Sequence, residues 1–255
     1  MPVNKSTAIV IGQYPLREND RIVIFLTRNF GKIRAVAKGA GNIKSKFCGR
    51  LEILTCGELL YYQRAGKDLH SVNSFDVIEP FQMLREDLLK MAYSSYIAEL
   101  IQHAIADEEP DHETFDLTLS IMSMMATTDD PEIAARTFEI KLLNHMGLNP
   151  RLDLCIQCSG EIKSTTPTFS IQAGGVLCEG CSDSAQRGIR VSRGSLETIR
   201  KIQESPLDFI SRLRVSNFSR QEIDKILSGF IAFHMDVKNL RSLSFLESIK
   251  AEYTK

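Results

Sequence analysis

Short apolar runs alternate with polar residues over the first 80 residues of the chain, and turn-forming residues separate the runs. The runs lie at residues 8–11, 21–26, 32–37, 51–54, 59–63 and 69–78. In the run at 32–37 apolar and polar residues alternate, as they do in a half-buried strand. About five short, closely spaced strands predict a small barrel such as the OB-fold. An SH3-like barrel would produce nearly the same pattern, so periodicity leaves both open.

The apolar spacing becomes helical beyond residue 80. Residues 81–103 contain neither Gly nor Pro, and their apolar positions fall on one helical face. A second helix is predicted over residues 114–125. A third is predicted to begin at Asp130-Pro131, an N-cap followed by proline in the first helical position, and to end at Gly147.

The last third of the chain also has helical spacing. Ser219-Arg220-Gln221-Glu222 predicts a capping box, in which the Glu222 side chain reaches back to the Ser219 amide at the start of a helix. Ser205-Pro206 predicts the cap of a shorter helix.

Charge divides the chain in the same way. The net charge is −1, but residues 1–80 carry 12 Lys and Arg against 7 Asp and Glu, residues 81–150 carry 4 against 13, and residues 151–255 carry 15 against 12. The net charge of these three segments alternates in sign, which indicates separate surfaces with separate partners. We predict an α+β fold, with an OB-fold β-barrel at 1–80, a helical bundle at 81–150 and 186–255, and an embedded cysteine-rich segment at 151–185.

Two C-x-x-C pairs, Cys155/Cys158 and Cys178/Cys181, are separated by 19 residues. This spacing is typical of a zinc ribbon, in which two short knuckles present four thiolates to one tetrahedral ion. Four cysteines complete the shell and leave no position for water. We therefore predict one structural Zn²⁺ per chain.

Three alternatives compete with zinc: disulfides, a redox pair and an iron–sulfur cluster. The start of the chain lacks the apolar stretch of a secretory signal, which favours the reducing cytoplasm and hence metal binding over disulfides. Gly160 and Gly180 predict tight knuckles, and a hairpin over 168–177 would bring the two pairs together. Cys48 and Cys56 are interpreted as ordinary barrel thiols.

A basic stretch runs from residue 28 to residue 50 without one acidic residue. Such a stretch on a barrel can follow a phosphate backbone, so we predict that it binds nucleic acid, although a solvated surface is the plain alternative. Four aromatic residues are candidates for stacking on bases, or else belong to the core: Phe30, Phe47, Tyr61 and Tyr62. The predicted DNA-binding residues are Arg28, Lys32, Arg34, Lys38, Lys44, Lys46 and Arg50.

Other chemistries find little support in the sequence. The segment Gly41-Asn42-Ile43-Lys44-Ser45 lacks the glycine that precedes the lysine of a phosphate loop, so no nucleotide is predicted. The histidines show no metal-binding spacing, and no nucleophile–base pair can be named. The sequence contains no run of about 18 apolar residues, so no membrane span is predicted. We therefore expect a protein that is not an enzyme.

The chain resembles the RecO family of recombination mediators. The resemblance rests on the blocks Asp20-Arg21-Ile22-Val23, Leu26-Thr27-Arg28, Gly31 to Ala40, Lys44 to Phe47, Leu148-Asn149-Pro150, the two cysteine pairs and Gly174-Gly175. It implies an OB-fold, a helical bundle and a zinc finger. It also implies binding to single- and double-stranded DNA, strand annealing, and loading of recombinase onto strands coated by single-strand-binding protein (SSB).

The resemblance implies two protein partners, RecR and the acidic C-terminal tail of SSB, and a cytoplasmic, nucleoid-associated location. The acidic helical segment departs from this expectation, because it would repel DNA. Any DNA path is then expected over the barrel, with an extension towards Arg187, Arg190 and Arg193. The alternative function is an interaction adaptor whose basic surface binds an acidic protein tail.

Overall fold

The computed structural model describes residues 2–64, 66–182, 188–237 and 239–253. The chain forms two compact units. The first contains Met1–Pro131 together with Asn239–Lys255, and the second contains Glu132–Lys238. The C-terminal residues thus belong to the first unit. The boundaries predicted at residues 80, 150 and 185 separate a barrel, helices and a cysteine-rich segment, not such units, and they stay a prediction.

A closed five-stranded barrel opens the first unit. Its strands are β1 (Val3–Pro15), β2 (Arg21–Thr27), β3 (Gly31–Ala37), β4 (Cys56–Tyr62) and β5 (His70–Glu79). They follow the order β1-β2-β3-β5-β4, and β4 pairs again with β1. All neighbours are antiparallel except β3 and β5. This order is that of the OB-fold, so the barrel prediction is confirmed and the SH3-like alternative is set aside.

The barrel core collects the inward-facing side chain of every second strand residue, such as Ala8 and Val10 of β1. Phe25 and Phe75 meet in it with ring centroids 5.6 Å apart. The predicted strand at 51–54 is wrong, because these residues form turns. Leu51 and Leu54 are nevertheless 2% exposed, since the last part of the β3–β4 connection turns these two side chains inward. Burial, not strand pairing, explains that apolar run.

Four helices of the first unit accompany the barrel in the described residues: α1 (Met83–Glu86), α2 (Leu88–Ala104), α3 (His112–Thr127) and α9 (Arg241–Tyr253). The helix predicted over 81–103 is interrupted at Asp87, which has an extended backbone and accepts hydrogen bonds from the first amides of α2. Helix α9 packs on α2. The Glu99 carboxylate of α2 accepts hydrogen bonds from the amides of Arg241 and Ser242, which fixes the start of α9.

The second unit combines helices with a small sheet. Its elements are α4 (Pro131–His145), β6 (Thr168–Ser170), β7 (Gly175–Leu177), α5 (Glu179–Ser182), β8 (Ile189–Arg190), α6 (Arg193–Glu204), α7 (Leu207–Ile210) and α8 (Asn217–His234). The three strands follow the order β7-β6-β8. No helix in the described parts of either unit is long and apolar enough to cross a membrane.

The predicted capping box is wrong. Helix α8 begins two residues before Ser219, and the N-cap is Ser216, whose hydroxyl oxygen accepts a hydrogen bond from the Ser219 amide. Glu222 instead accepts hydrogen bonds from Ser192 and Ser195 at the start of α6. The shorter predicted helix exists as α7, but its N-cap Pro206 provides no side-chain hydrogen bond.

Candidate functional site

The four cysteines of the two pairs meet in the second unit. Their sulfur atoms all lie within 4.8 Å of one another. The Sγ atoms of Cys158 and Cys178 are 3.7 Å apart. Four sulfurs placed tetrahedrally about 2.3 Å from one ion would be separated by about 3.8 Å. The cluster therefore has the size and the donor atoms to hold one metal ion.

The first knuckle is closed by its own backbone. The Cys155 amide donates to the Gly160 carbonyl oxygen at 2.9 Å, and the Ser159 amide donates to the Cys155 carbonyl oxygen at 2.8 Å. The left-handed residue is Ser159, with φ 58°, and not the glycine predicted for that role. Gly160 serves a different purpose, because an added Cβ atom would lie 3.3 Å from the Cys158 sulfur.

The hairpin predicted between the two cysteine pairs is confirmed. Strands β6 and β7 pair antiparallel, with Phe169 opposite Val176. The first knuckle docks on this hairpin, because the Ile156 amide donates to the Val176 carbonyl oxygen at 2.9 Å. Gly175 permits the close approach, since an added Cβ atom would lie 2.7 Å from the Arg151 carbonyl oxygen. Cys178 follows β7 directly, so the hairpin delivers the second pair to the first.

The pKa values of two of the four thiols, Cys155 and Cys181, are shifted in opposite directions. Burial raises the pKa of Cys155, but backbone amides of Cys178, Cys158 and Gln157 donate to its sulfur and lower the pKa to about 6. A hydrogen bond with the Cys178 side chain, followed by burial, raises the pKa of Cys181 to about 12. The cluster thus accepts a negative charge readily at Cys155 and resists one at Cys181. A bound cation would remove that resistance, so the donor chemistry fits a metal.

The hairpin is anchored to α8 by aromatic contacts. The Phe169 ring lies 6.3 Å from the Phe230 ring, and Phe230 lies 4.1 Å from the His234 ring. His234 Nε2 lies 2.7 Å from the Ile171 carbonyl oxygen. His234 is therefore a structural residue, and the cysteine cluster is attached to a helix and not to a mobile loop.

The predicted DNA-binding residues belong to the first unit, and the fold supplies acidic partners that their own stretch lacks. Arg28 pairs with Asp116 of α3, and Arg50 pairs with Asp76 of β5. Lys32 is 5% exposed, and its ammonium group lies 3.1 Å from Asp107 in the α2–α3 connection. Arg34 shares that carboxylate at 3.4 Å. Lys32 is thus a buried residue that holds the barrel to the α2–α3 connection.

The remaining three basic residues lie on the β3–β4 connection. We call residues 38–50 the basic loop. Among the described residues, no carboxylate pairs with Lys38, Lys44 or Lys46. Lys46 donates to the Asn73 carbonyl oxygen and lies 5.1 Å from the centre of the Phe47 ring. All three are exposed, so the basic loop carries the available positive charge of the stretch.

The stacking candidates are mostly core residues. Phe47 is 4% exposed and Tyr61 is 1% exposed, and both belong to the barrel core. Phe30 packs against that core. Tyr62, which is 36% exposed, is the one predicted aromatic at the surface of the described barrel. Alternation along β4 explains this outcome, because Tyr61 and Tyr62 face opposite sides of the sheet.

Two further loops carry basic residues that the sequence reasoning missed. Residues 16–20 join β1 to β2 and include the exposed Arg17, together with Glu18 and Asp20. Residues 63–69, of which all but residue 65 are described, join β4 to β5. Their Arg64 and Lys67 line a cavity of about 320 Å³ beside Lys32 and Arg34, and the carboxylates of Asp68, Asp107 and Glu108 line it as well. These two loops are the usual ligand-binding loops of OB-folds. The predicted OB-fold could therefore have indicated the basic residues of these two loops.

The predicted extension of the DNA path is described only in part. Arg187 lies outside the described residues. Arg190 is exposed on β8, and Arg193 donates to the Ile162 carbonyl oxygen within the second unit.

Comparisons with known proteins agree over nearly the whole chain. The family model described as "Recombination protein O N terminal" matches residues 1–81, and the one described as "Recombination protein O C terminal" matches residues 85–244. "DNA repair protein RecO" of Symbiobacterium thermophilum is 31% identical over 246 residues, covering 95% of this chain and 96% of that protein. The protein of the same name from Desulforamulus reducens is 30% identical, covering 98% of this chain and 96% of that protein. The one from Clostridium novyi is 32% identical, covering 99% of this chain and 97% of that protein.

Proposed function

This chain belongs to the RecO family of DNA repair proteins, and from that premise we propose that it is a recombination mediator that binds single- and double-stranded DNA. It anneals complementary strands and helps to load recombinase onto SSB-coated single strands. The observation that carries the proposal is the basic loop on the OB-fold barrel, where Lys38, Lys44 and Lys46 have no carboxylate partner among the described residues.

These lysines suit a sequence-independent phosphate contact. An exposed ammonium group without a carboxylate partner can neutralise a phosphate without first breaking an ion pair. Arg28, Arg34 and Arg50 are exposed but ion-paired, so they contribute to DNA binding only by exchanging a carboxylate for a phosphate. Lys32 is assigned to the structure of the barrel.

The strand is expected to lie across the barrel between its loops. The basic loop is joined to residues 16–20 by the Gly41 amide, which donates to the Asn19 carbonyl oxygen at 2.9 Å. Arg17 therefore lies on a loop that is fixed to the basic loop. Arg64 and Lys67 extend the positive charge to the β4–β5 loop.

Annealing follows from charge neutralisation. A surface that neutralises phosphates of two strands lowers their mutual repulsion and needs no energy source. RecR and the acidic C-terminal tail of SSB are the proposed protein partners, as the family relationship suggests. The proposed location is the cytoplasm, at the nucleoid, where the DNA substrate lies.

We assign one structural Zn²⁺ per chain to Cys155, Cys158, Cys178 and Cys181. When bound, the ion would stabilise the two knuckles, and its four thiolate ligands would leave no position for a reactive water. The proposed activity is therefore binding and not covalent chemistry. Incubation of labelled DNA with the protein and magnesium should leave the DNA intact, and cleavage would contradict this assignment.

The test is a salt titration of binding to single-stranded oligonucleotides with the full-length protein. Each neutralised phosphate lowers the slope of log K against log salt by about 0.7, so three to six contacts give a slope between about −2 and −4. An interaction adaptor would instead bind an acidic peptide and ignore DNA. A flat salt dependence, or no binding at low salt, would overturn the proposed function.

A further inference from the structure

Ile43 lies on the basic loop with 89% of its surface exposed, more than any other large apolar side chain in the described residues. The next most exposed isoleucine is Ile78 on β5, at 63%. An apolar side chain so open to water contributes nothing to the core, and it remains available for contact with a partner.

The backbone holds this side chain outward. The Ser45 amide donates to the Asn42 carbonyl oxygen at 3.0 Å, which closes a turn with Ile43 and Lys44 at its two corners. The Asn42 amide donates to the Gly39 carbonyl oxygen at 3.0 Å and forms the preceding turn. The apolar residue and its cationic neighbour therefore project together from one rigid tip.

The base of the loop is fixed as well. The Gly39 amide donates to the Asp20 carboxylate at 2.9 Å, and Gly39 has a φ of 70° that favours glycine. Gly41 lies so close to Arg21 that an added Cβ atom would be 3.0 Å from its guanidinium group. A loop tied at several points presents Ile43 without a large ordering cost on binding.

The surroundings of Ile43 are polar and positively charged. An open groove of about 640 Å³ lies beside the turn and is lined by Gly39, Gly41, Asn42, Ile43, Lys44 and Ser45. Lys38 and Lys44 are exposed on the same loop. An apolar tip next to unpaired cations complements a chain that alternates flat apolar bases with anionic phosphates.

We propose that Ile43 is a wedge residue that packs between neighbouring bases of a bound DNA strand while Lys44 contacts the adjacent phosphate. This inference rests on the proposed function and deepens it, since it assigns a base contact to a loop otherwise expected to hold phosphates. Aliphatic side chains that enter base steps unstack them.

The test uses the full-length protein and a single-stranded oligonucleotide with 2-aminopurine at a central position, whose fluorescence rises when its neighbours no longer stack on it. We expect the wild type to raise the fluorescence on binding. Ile43→Ser should remove that rise and weaken binding about five- to tenfold, through lost apolar contact. The matched control is Ile78→Ser, which removes the same side chain from another exposed position of the barrel and should change neither quantity.

The salt slope separates the wedge from the phosphate contact. Ile43→Ser should leave the slope unchanged because no charge is removed, whereas Lys44→Gln should make it shallower by about 0.7. Equal fluorescence and equal DNA affinity for wild type and Ile43→Ser would overturn the wedge. This outcome includes a variant that binds DNA normally and loses only the binding of a protein partner. Absence of DNA binding by the wild type would instead be failure of the proposed function, so the two failures are distinguishable.

Discussion

The ammonium group of Lys32 lies 3.1 Å from the Asp107 carboxylate, although 75 positions separate the two residues in the sequence. The lysine belongs to the predicted DNA-binding stretch, and the aspartate belongs to the acidic segment that was expected to repel DNA. Their contact turns both into structural residues. The Glu108 amide also donates to the Lys32 carbonyl oxygen at 2.9 Å, which continues the contact along the β3 backbone.

Loss of the Asp107 charge should destabilise the protein. In Asp107→Asn the buried Lys32 ammonium group loses its carboxylate, and we expect unfolding free energy to fall by about 1 to 2 kcal/mol, as measured by urea denaturation. The control is Asp116→Asn, since the pair of Asp116 with Arg28 is about half exposed on both sides. That variant should lose less than about 1 kcal/mol. Equal losses would mean that burial of Lys32 has no energetic role.

Available and ion-paired cations should differ in their contribution to DNA binding. Lys44→Gln is expected to make the salt slope of single-strand binding shallower by about 0.7, because one phosphate contact is lost. Arg28→Gln should change the slope by much less, since Arg28 is already neutralised by Asp116. The measurement is fluorescence anisotropy over a series of salt concentrations. A larger effect of Arg28→Gln would show that the ion pairs open on binding and that the basic loop is not dominant.

Metal content should depend on the cysteine cluster alone. We expect about one zinc per chain in the wild type and a large loss in Cys158→Ser, measured by elemental analysis. Cys48→Ser is the matched control, because Cys48 is an exposed thiol of the barrel, and it should retain the metal. Removal of the ion by a chelator should expose the segment that contains the two knuckles to proteolysis. Full zinc content in Cys158→Ser would contradict the assigned ligand set.

Thiol reactivity should distinguish the two cysteines outside the cluster. Burial, followed by the Glu79 carboxylate, raises the pKa of Cys56 to about 11, so its reactive thiolate is scarce near neutral pH. Cys48 is exposed. A disulfide reagent should therefore modify one thiol quickly in metal-loaded protein, and peptide mapping should identify it as Cys48. Rapid labelling of Cys56 would show that the barrel opens under native conditions.

Glu222 should make the second unit sensitive to acid. Burial raises the pKa of Glu222, but hydrogen bonds from Ser192 and Ser195 outweigh it and hold the pKa below its ordinary value of 4.5. A carboxylate with a lowered pKa contributes stability that is present above its ordinary pKa and is lost as the pH falls through the folded-state pKa. Between about pH 6 and pH 3.5 the urea midpoint of Glu222→Gln should therefore fall less than that of the wild type. Parallel curves would contradict this role.

Local spacing was sufficient where the structure is local. The cysteine pairs and the hairpin between them follow from residues that are close in sequence, and the alternation of β2 and β3 fixes which side chains enter the barrel. The helix over 114–125 and the helix from Pro131 are found as α3 and α4 for the same reason.

Long-range partners could not be read from the same patterns. Lys32 lies in a basic stretch typical of a DNA contact. In the fold, however, the α2–α3 connection places Asp107 beside it. Glu222 satisfies the sequence rule for a capping box, yet its carboxylate accepts hydrogen bonds from Ser192 and Ser195 at the start of another helix instead. Leu51 has the apolarity of a strand residue, although the barrel core buries it from a turn. In each case the partner that determines the role of the residue lies on a segment far away along the chain.

The contact between α2 and α9 has a consequence for how the protein is made. A ribosome must synthesise the whole of Glu132–Lys238 before Arg241 and Ser242 become available to Glu99. Until then the nascent barrel unit presents an uncovered helix surface, and its completion waits for the most recently translated residues.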